Sequence, residues 1–300
     1  KIENKEFCNL IGEDSITFQS VSNLLHISNM SYSMLDVMEK NFVILEILKK
    51  IDSAKLSITG DITKWEIGWE ENLNNYKKSH AMLDLIPKYR EVSGICRLND
   101  EYIRAESKTL ESNVVKILQY YIFNKYFSDV TELYEFGCGT GINLMHASDV
   151  LPLMKLNGLD WSKMAIDIIT LMSANFNISG NIFDMLYPDY TFKITKDSGF
   201  FTCGSMEQLG NRFNNFLDFI LLKKPKIIVH LEPILEFYDM NNLSDYLAFK
   251  FHKHRGYLDG YYTKLCELEK DGKINILKSH HVKFSGLYHD SLSILAWEII

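Results

Sequence analysis

In the first 125 residues the apolar positions follow a helical rhythm. Between Tyr32 and Ile51, Leu35, Met38, Phe42, Leu45 and Leu48 recur at three- and four-residue spacing. Between Asn113 and Tyr126, Val114, Ile117, Leu118, Tyr121 and Ile122 do the same. Both stretches predict amphipathic helices. Trp65-Glu-Ile-Gly-Trp69 and Leu85-Ile-Pro-Lys-Tyr89 read as irregular connectors with aromatic anchors. From Thr131 short apolar runs alternate with helical stretches. Strands are expected near Glu132–Phe136, Lys155–Asp160, Ile182–Phe183, Gly199–Gly204 and Lys226–Leu231. Helices are expected over Ile142–Leu151, Lys163–Asn175, Met206–Leu222 and Leu243–His254. Alternation of this kind implies βαβ units and a parallel sheet. Lys273–Lys278 and Ser291–Ile300 read instead as an antiparallel pair, with little helix between them, closing the sheet edge.

Bulk properties narrow the class without naming a chemistry. The 300 residues suffice for one large domain or two small ones, and 46% apolar with 24% charged residues is ordinary for a globular chain. A net charge of −7 argues against a protein that coats nucleic acid, since phosphate neutralisation needs a basic surface. Cys8, Cys96, Cys138, Cys203 and Cys266 are odd in number and widely spaced, with no CxxC, so neither a disulfide framework nor a zinc knuckle is expected. No apolar run approaches the ~18 residues that span a bilayer. The N-terminus lacks a signal-peptide core. It starts at Lys1, as expected of a trimmed chain or a piece of a longer one, and the default expectation is cytoplasmic.

The chemistry begins at Leu133-Tyr-Glu-Phe-Gly-Cys-Gly-Thr-Gly141, an apolar run ending in glycines with a helical pattern starting at Ile142. Glycines permit positive φ and close approach of a ligand to backbone, and the helix N-terminus offers N–H donors. A dinucleotide fingerprint wants G-x-G-x-x-G, but here the third glycine comes one place early, and no Lys-Ser or Lys-Thr follows as a P-loop requires. Asp160 ends the next expected strand nineteen residues after Gly141, where a carboxylate can accept ribose hydroxyl protons. Asp184 ends the third.

The pattern E-x-G-x-G-x-G resembles the first motif of class I S-adenosylmethionine-dependent methyltransferases. The resemblance covers about 130 to 235 and implies a Rossmann-like α/β fold: a doubly wound, mostly parallel seven-stranded sheet with an antiparallel edge strand over 126–300. A mainly helical region or lid over 1–125 is expected to precede it. It also implies that Glu135, Gly137, Cys138, Gly139 and Gly141 lie against the methionine part of S-adenosyl-L-methionine. Asp160 and Trp161 are then at the ribose, and Asp184 and Met185 at the adenine.

Ligands of open α/β sheets bind beyond the carboxyl ends of the strands. The fourth ends at Cys203-Gly-Ser-Met-Glu-Gln-Leu-Gly210, similar to a segment of small-molecule methyltransferases, and the fifth at Val229-His-Leu-Glu-Pro233. Glu207, Gln208, His230 and Glu232 are candidates for the acceptor pocket. The Asn/Asp-Pro-Pro-Tyr/Phe sequence of enzymes that methylate nucleobase amines is absent. Six of nine histidines lie between His230 and His289, which suits removal of a hydroxyl proton, although surface histidines are common. In Phe249-Lys-Phe-His-Lys-His-Arg-Gly-Tyr257, His252 and Arg255 share a helical face and could bind phosphate or sugar with Tyr257; a solvated basic face is the plainer reading. Glu207, His230 or His252 is the expected general base; Gln208, Glu232, Arg255 and Tyr257 are expected to hold the acceptor. No metal is expected. Trp65, Trp69, Tyr76, Tyr89, Tyr102 and Arg104 would suit a ring-binding lid, although aromatics also fill cores. Tyr102-Ile-Arg104 is a further candidate for the cofactor carboxylate. The chain also resembles bacterial methyltransferases that modify sugars for surface polysaccharides. The expected acceptor is therefore a hydroxyl of a sugar or nucleotide sugar, with no nucleic acid and a possible homodimer. N-methylation of a small amine, or a non-catalytic cofactor-binding partner, are the alternatives.

Overall fold

The structure, a computed structural model, describes residues 1–53, 62–87 and 94–300. Tyr89 lies outside the described residues. The chain runs α1 (Asn4–Ile11), α2 (Gln19–Ile27), β1 (Tyr32–Met34), α3 (Val37–Asp52), α4 (Ile62–Ser79), β2 (Ile95–Leu98), β3 (Glu101–Ala105) and α5 (Leu110–Tyr126). It continues β4 (Glu132–Phe136), α6 (Ile142–Val150), β5 (Lys155–Asp160), α7 (Lys163–Met172), β6 (Ile178–Ile182), β7 (Gly199–Cys203), α8 (Asn214–Lys223) and β8 (Ile227–Glu232). Last come α9 (Leu243–Arg255), α10 (Tyr261–Lys270), β9 (Ile274–His280), β10 (Phe284–Ser285) and β11 (Ser293–Ile299).

Seven strands form the main sheet in the order β6-β5-β4-β7-β8-β11-β9. The first five are mutually parallel, and β11 runs antiparallel to both β8 and β9, so the reversed strand is inserted one place in from the edge. Strand side chains alternate between two faces. Leu133, Phe201, Val229 and Ile294 pack with Leu118, Ile122, Leu144 and Ile169 of α5, α6 and α7. Their neighbours Tyr134, Phe200, Ile228 and Leu295 pack with Phe216, Phe219 and Leu265 of α8 and α10. Burial on both faces sets apolar residues side by side in these strands, interrupted at Glu135 and His230, and those short apolar runs are what the sequence shows. The sheet is thus the doubly wound, Rossmann-like one expected.

Several expectations are corrected. Trp65 and Trp69 are not in an irregular connector; they sit one turn apart on α4, stacked with ring centroids 5.5 Å apart. The helix expected over Met206–Leu222 is a 3-10 turn, Met206–Leu209, followed by α8. Gly210 breaks it with φ +59°, and a Cβ there would meet the Gly256 carbonyl oxygen at 2.8 Å. Helix α10 occupies a stretch for which no element was expected, and between β9 and β11 the described residues form no helix, as expected. A second, antiparallel sheet also forms, in the order β1-β3-β2-β10. Asn99 and Asp100 join β2 to β3, both at positive φ, as two-residue hairpin turns require.

The amphipathic helix expected between Tyr32 and Ile51 is α3, begun by an Asp36–Glu39 capping box. An amphipathic helix ordinarily turns its apolar stripe inward. Here Val43 and Ile47 are the buried pair, packed with Tyr102 and Leu247, and the stripe Met38, Phe42, Leu45 and Leu48 is exposed.

Candidate functional site

The loop after β4 is built by its glycines. Gly137, Gly139 and Gly141 all have positive φ, which side chains rarely tolerate. A Cβ on Gly137 would lie 2.4 Å from Ser205 Cβ, and one on Gly141 2.5 Å from Ile169 Cδ1. The Gly137 and Cys138 amides donate to the Leu159 carbonyl, at 2.7 and 3.1 Å. The Gly139 amide donates to Asp160 Oδ2 at 2.9 Å, and Ser162 N donates to Oδ1 at 2.9 Å. Burial pushes the Asp160 carboxyl up to about 6, against the lowering effect of these amides. Gly141→Ala is expected to cost about 1–3 kcal/mol of stability, because the left-handed backbone strain adds to the contact with Ile169. Urea denaturation measures it; a change below a few tenths of a kcal/mol would contradict this account of the loop.

The loop lines one wall of a cleft of about 410 Å³. Gly137, Cys138 and Gly139 share this cleft with Asp160, Trp161, Asp184 and Met185 from the next two strand ends. Seven of the nine residues expected to hold the cofactor therefore line one space. The other two, Glu135 and Gly141, stand behind it. Glu135 is fully buried and accepts from Asn143 Nδ2 at 2.6 Å. Asn143 lines the cleft and in turn accepts from Gln119 Nε2 at 2.7 Å, so Glu135 acts on the cleft through Asn143. The Asp184 side chain accepts from the Leu186 amide at 2.8 Å, which fixes the turn after β6.

A larger cavity of about 830 Å³ adjoins the cleft. Trp65, Trp69, Pro87, Cys203 and Gly204 line both. Glu207, Arg255 and Tyr257 line only the larger space, and Gln208 lines only the cleft. Arg255 Nε donates to Tyr257 Oη at 3.0 Å, with the guanidinium 5.1 Å from that ring. Gln208 Nε2 donates to Glu207 Oε1 at 2.9 Å, tying the two walls together at the junction. Helix α4 closes the top: a Cβ on Gly139 would be 3.0 Å from Trp69 Cζ2. Asn72 of α4 donates to the Asp84 carbonyl at 2.6 Å, and Thr140 Oγ1 donates to the Leu85 carbonyl at 2.5 Å, so α4 and the glycine loop are held by one turn.

Three sequence candidates fall outside both spaces. His230 is buried between Thr202 Oγ1 and Tyr261 Oη, each 2.9 Å from a ring nitrogen, and burial draws it down to about 3. His252 is buried with Nε2 2.8 Å from the Leu258 carbonyl, drawn down to about 4 by the same cause. Both are neutral core groups facing no acceptor. Glu232 is fully buried and accepts from the amides of Ser205, Met206 and Glu207 at 3.0, 3.1 and 3.3 Å. It shapes the loop that carries Glu207 rather than touching an acceptor. Arg104 is likewise displaced: it is exposed on the second sheet and pairs with Glu39 at 2.8 Å.

Sequence reasoning missed Asn143, whose only signal is its place two residues past the last glycine. It also passed over His289 as a site residue. His289 lines the larger cavity, its Nδ1 is buried with no hydrogen-bond partner among the described residues, and burial draws the ring down to about 3. Among the described residues no group of three or more His, Cys, Asp or Glu is arranged to hold a metal, and no helix is long and apolar enough to cross a membrane.

No model of a known protein family matches the sequence, and no characterised protein sequence matches it. Solved structures do show a likeness. The N-methyltransferase NodS from Bradyrhizobium japonicum WM9, in complex with S-adenosyl-L-homocysteine, is 13% identical at a TM-score of 0.44, covering 61% of this chain and 84% of that one. The plantazolicin methyltransferase BpumL, also with S-adenosyl-L-homocysteine, is 14% identical at 0.44, covering 85% and 98%. Geranyl diphosphate C-methyltransferase from Streptomyces coelicolor A3(2) is 8% identical at 0.45, covering 65% and 85%. Scores of this size carry no argument about chemistry, which rests on the chain's own residues.

Proposed function

We propose that the chain is an S-adenosylmethionine-dependent methyltransferase acting on a small molecule. One observation carries the reading: three successive strand ends deliver a glycine loop, Asp160 and Asp184 to a single cleft that opens into a larger cavity. The residues fit the cofactor. At Gly137 and Gly139 the loop presents backbone to the cleft, where a Cβ would meet Ser205 or Trp69. Asp160 is a buried carboxylate suited to two ribose hydroxyls, and Asp184 and Met185 suit an adenine. S-adenosylmethionine supplies, when bound, an electrophilic methyl group on a sulfonium. The protein's work is then to orient the acceptor, exclude water and take a proton. Cys203 and Gly204 form the passage between the two spaces, and Glu207 stands just beyond it. Glu207 is the residue assigned to accept the acceptor's proton.

The finer reading is O-methylation of a sugar or sugar derivative, such as one destined for a surface polysaccharide. The stacked Trp65 and Trp69, with Arg255, Tyr257 and Glu207 lining the same cavity, support a polar ring as occupant. N-methylation of a small amine is the second reading, favoured by Glu71, Glu111 and Glu207, which all line that cavity. Release of S-adenosylhomocysteine across a panel of alcohols and amines separates the two.

Calorimetry tests the cofactor assignment. Ribose hydroxyls donate to an ionised carboxylate, so binding drives the proton off Asp160. Affinity is therefore full above about 6 and falls as the pH drops through it, about tenfold per unit. Asp160→Asn is expected to weaken binding at neutral pH and to flatten this dependence. No binding of S-adenosylmethionine by the intact chain at any pH would sink the reading.

A further inference from the structure

Two residues on the wall of the larger cavity are poor choices for the fold itself. The first is Gly68. It lies in the interior of α4 without a positive φ, and glycine is the poorest helix former after proline. A left-handed backbone or close crowding ordinarily explains a glycine. Neither holds at Gly68. Among the described residues, a Cβ there would meet no heavy atom within 4 Å beyond its own helix and its chain neighbours. Trp65, Gly68, Trp69 and Asn72 share one helical face, and all four line the cavity. Gly68 therefore leaves a notch of bare backbone beside the two stacked indoles.

The second is His289. Its Nδ1 is sealed from solvent with no hydrogen-bond partner among the described residues. A buried polar atom left in that state destabilises the fold. The ring lies among Phe251, Tyr257 and His252, with centroids 5.5, 5.4 and 6.2 Å away, surroundings that a phenyl ring would suit as well. Burial keeps the imidazole uncharged. A sealed nitrogen is better tolerated as a bare lone pair than as an orphaned N–H, so the proton belongs on Nε2. His289 can then offer an occupant of the cavity one neutral donor.

Both positions give up stability where a ligand would gain from it, the usual mark of a binding wall. We infer that the larger cavity takes a ring bearing oxygen substituents, with the ring edge on the bare backbone at Gly68 and one oxygen accepting from His289 Nε2. The inference rests on the methyltransferase reading, in which this cavity holds the methyl acceptor, and makes Gly68 and His289 specificity-determining residues for it.

The probe is 4-nitrophenyl β-D-glucopyranoside, whose nitrophenyl group quenches the fluorescence of Trp65 and Trp69 when the cavity is filled. It is titrated into the intact chain with the cleft saturated by S-adenosylhomocysteine, and the wild type is expected to bind it saturably. Gly68→Ala is expected to weaken that binding about tenfold, the effect of one methyl group too many, and to raise the thermal midpoint by about 1–3 °C. His289→Phe is expected to weaken it about fivefold, the loss of one hydrogen bond, with the midpoint unchanged or higher. Affinity for S-adenosylhomocysteine should stay within about twofold in both variants. Unweakened binding of the glucoside by either variant, or stability lost together with affinity, would overturn the inference. A wild type that binds S-adenosylhomocysteine but not the glucoside overturns it and leaves the methyltransferase reading standing. A wild type that binds neither overturns both.

Discussion

Glu207→Gln is expected to lower kcat by about 10²–10⁴, the usual contribution of a positioned proton acceptor. Affinity for S-adenosylhomocysteine is expected to stay within about twofold. The split follows from the geometry. Glu207 lines the larger cavity and not the cleft, so its loss leaves the glycine loop, Asp160 and Asp184 untouched. Its position is set by Glu232, which accepts the amides of Ser205, Met206 and Glu207 itself. The amide side chain of Gln keeps the size and a carbonyl oxygen for Gln208 Nε2, so the loop is not disturbed. It cannot take a proton. Single-turnover methyl transfer with radiolabelled cofactor, alongside calorimetry, separates the two quantities. A variant with full kcat would remove Glu207 from the reaction. A variant that loses cofactor affinity in parallel would make it part of the cofactor wall instead. If the acceptor is a hydroxyl, the deficit should shrink as the pH rises toward the acceptor's own pKa. An acceptor that needs no deprotonation would show no such recovery.

The parts of this site that were legible in the sequence share one property: backbone geometry demands them. The loop needs glycine at positions of positive φ, and a carboxylate at a strand end needs only the strand to be found. Strands β4 and β5 are buried after their first residue, with polar Glu135 and Asn157 among the buried positions, and their ends fall where expected, at Phe136 and Asp160. What depended on tertiary contact was not legible. His230 and His252 stand in sequence near strand and helix ends that look like pocket walls, yet His230 is held in the core by Thr202 and Tyr261 and His252 by the Leu258 carbonyl, partners that no spacing rule supplies. The β2–β3 hairpin was hidden by Arg97, a charge at a position that is buried. The stripe on α3 had the right period but faces outward, because Tyr102 and Leu247 select Val43 and Ile47 for the core.

Arg97→Met is expected to destabilise the fold by about 3–5 kcal/mol, the cost of leaving buried carboxylates without their cation. Arg97 on β2 is 1% exposed and reaches across to the strand–helix half of the molecule. Its Nη2 lies 3.0 Å from Asp245 Oδ1 and 2.9 Å from Asp290 Oδ2, its Nε donates to Asp290 Oδ1 at 3.1 Å, and its Nη1 donates to the Ser244 carbonyl at 2.6 Å. One guanidinium thus holds two acids from separate segments against the second sheet. Burial alone pushes the Asp290 carboxyl up, but Arg97 and His281 outweigh it and hold the group well below the usual carboxylate range. The sign of the pH dependence follows. In the wild type Asp290 contributes stability above its unfolded pKa of about 3.9, lost as the pH falls toward the depressed folded value. With Arg97 gone, burial dominates and the folded pKa rises above the unfolded one. The variant's deficit should then shrink as acid protonates the Asp290 carboxyl, reversing the slope between about pH 6 and 4. Urea midpoints across that range read the reversal directly. Asp245→Asn with Asp290→Asn in the Arg97→Met background should recover at least about half of the loss, because neutral amides cost far less to bury than charges. A deficit that is flat with pH and unrelieved by the amides would mean that Arg97 contributes packing alone.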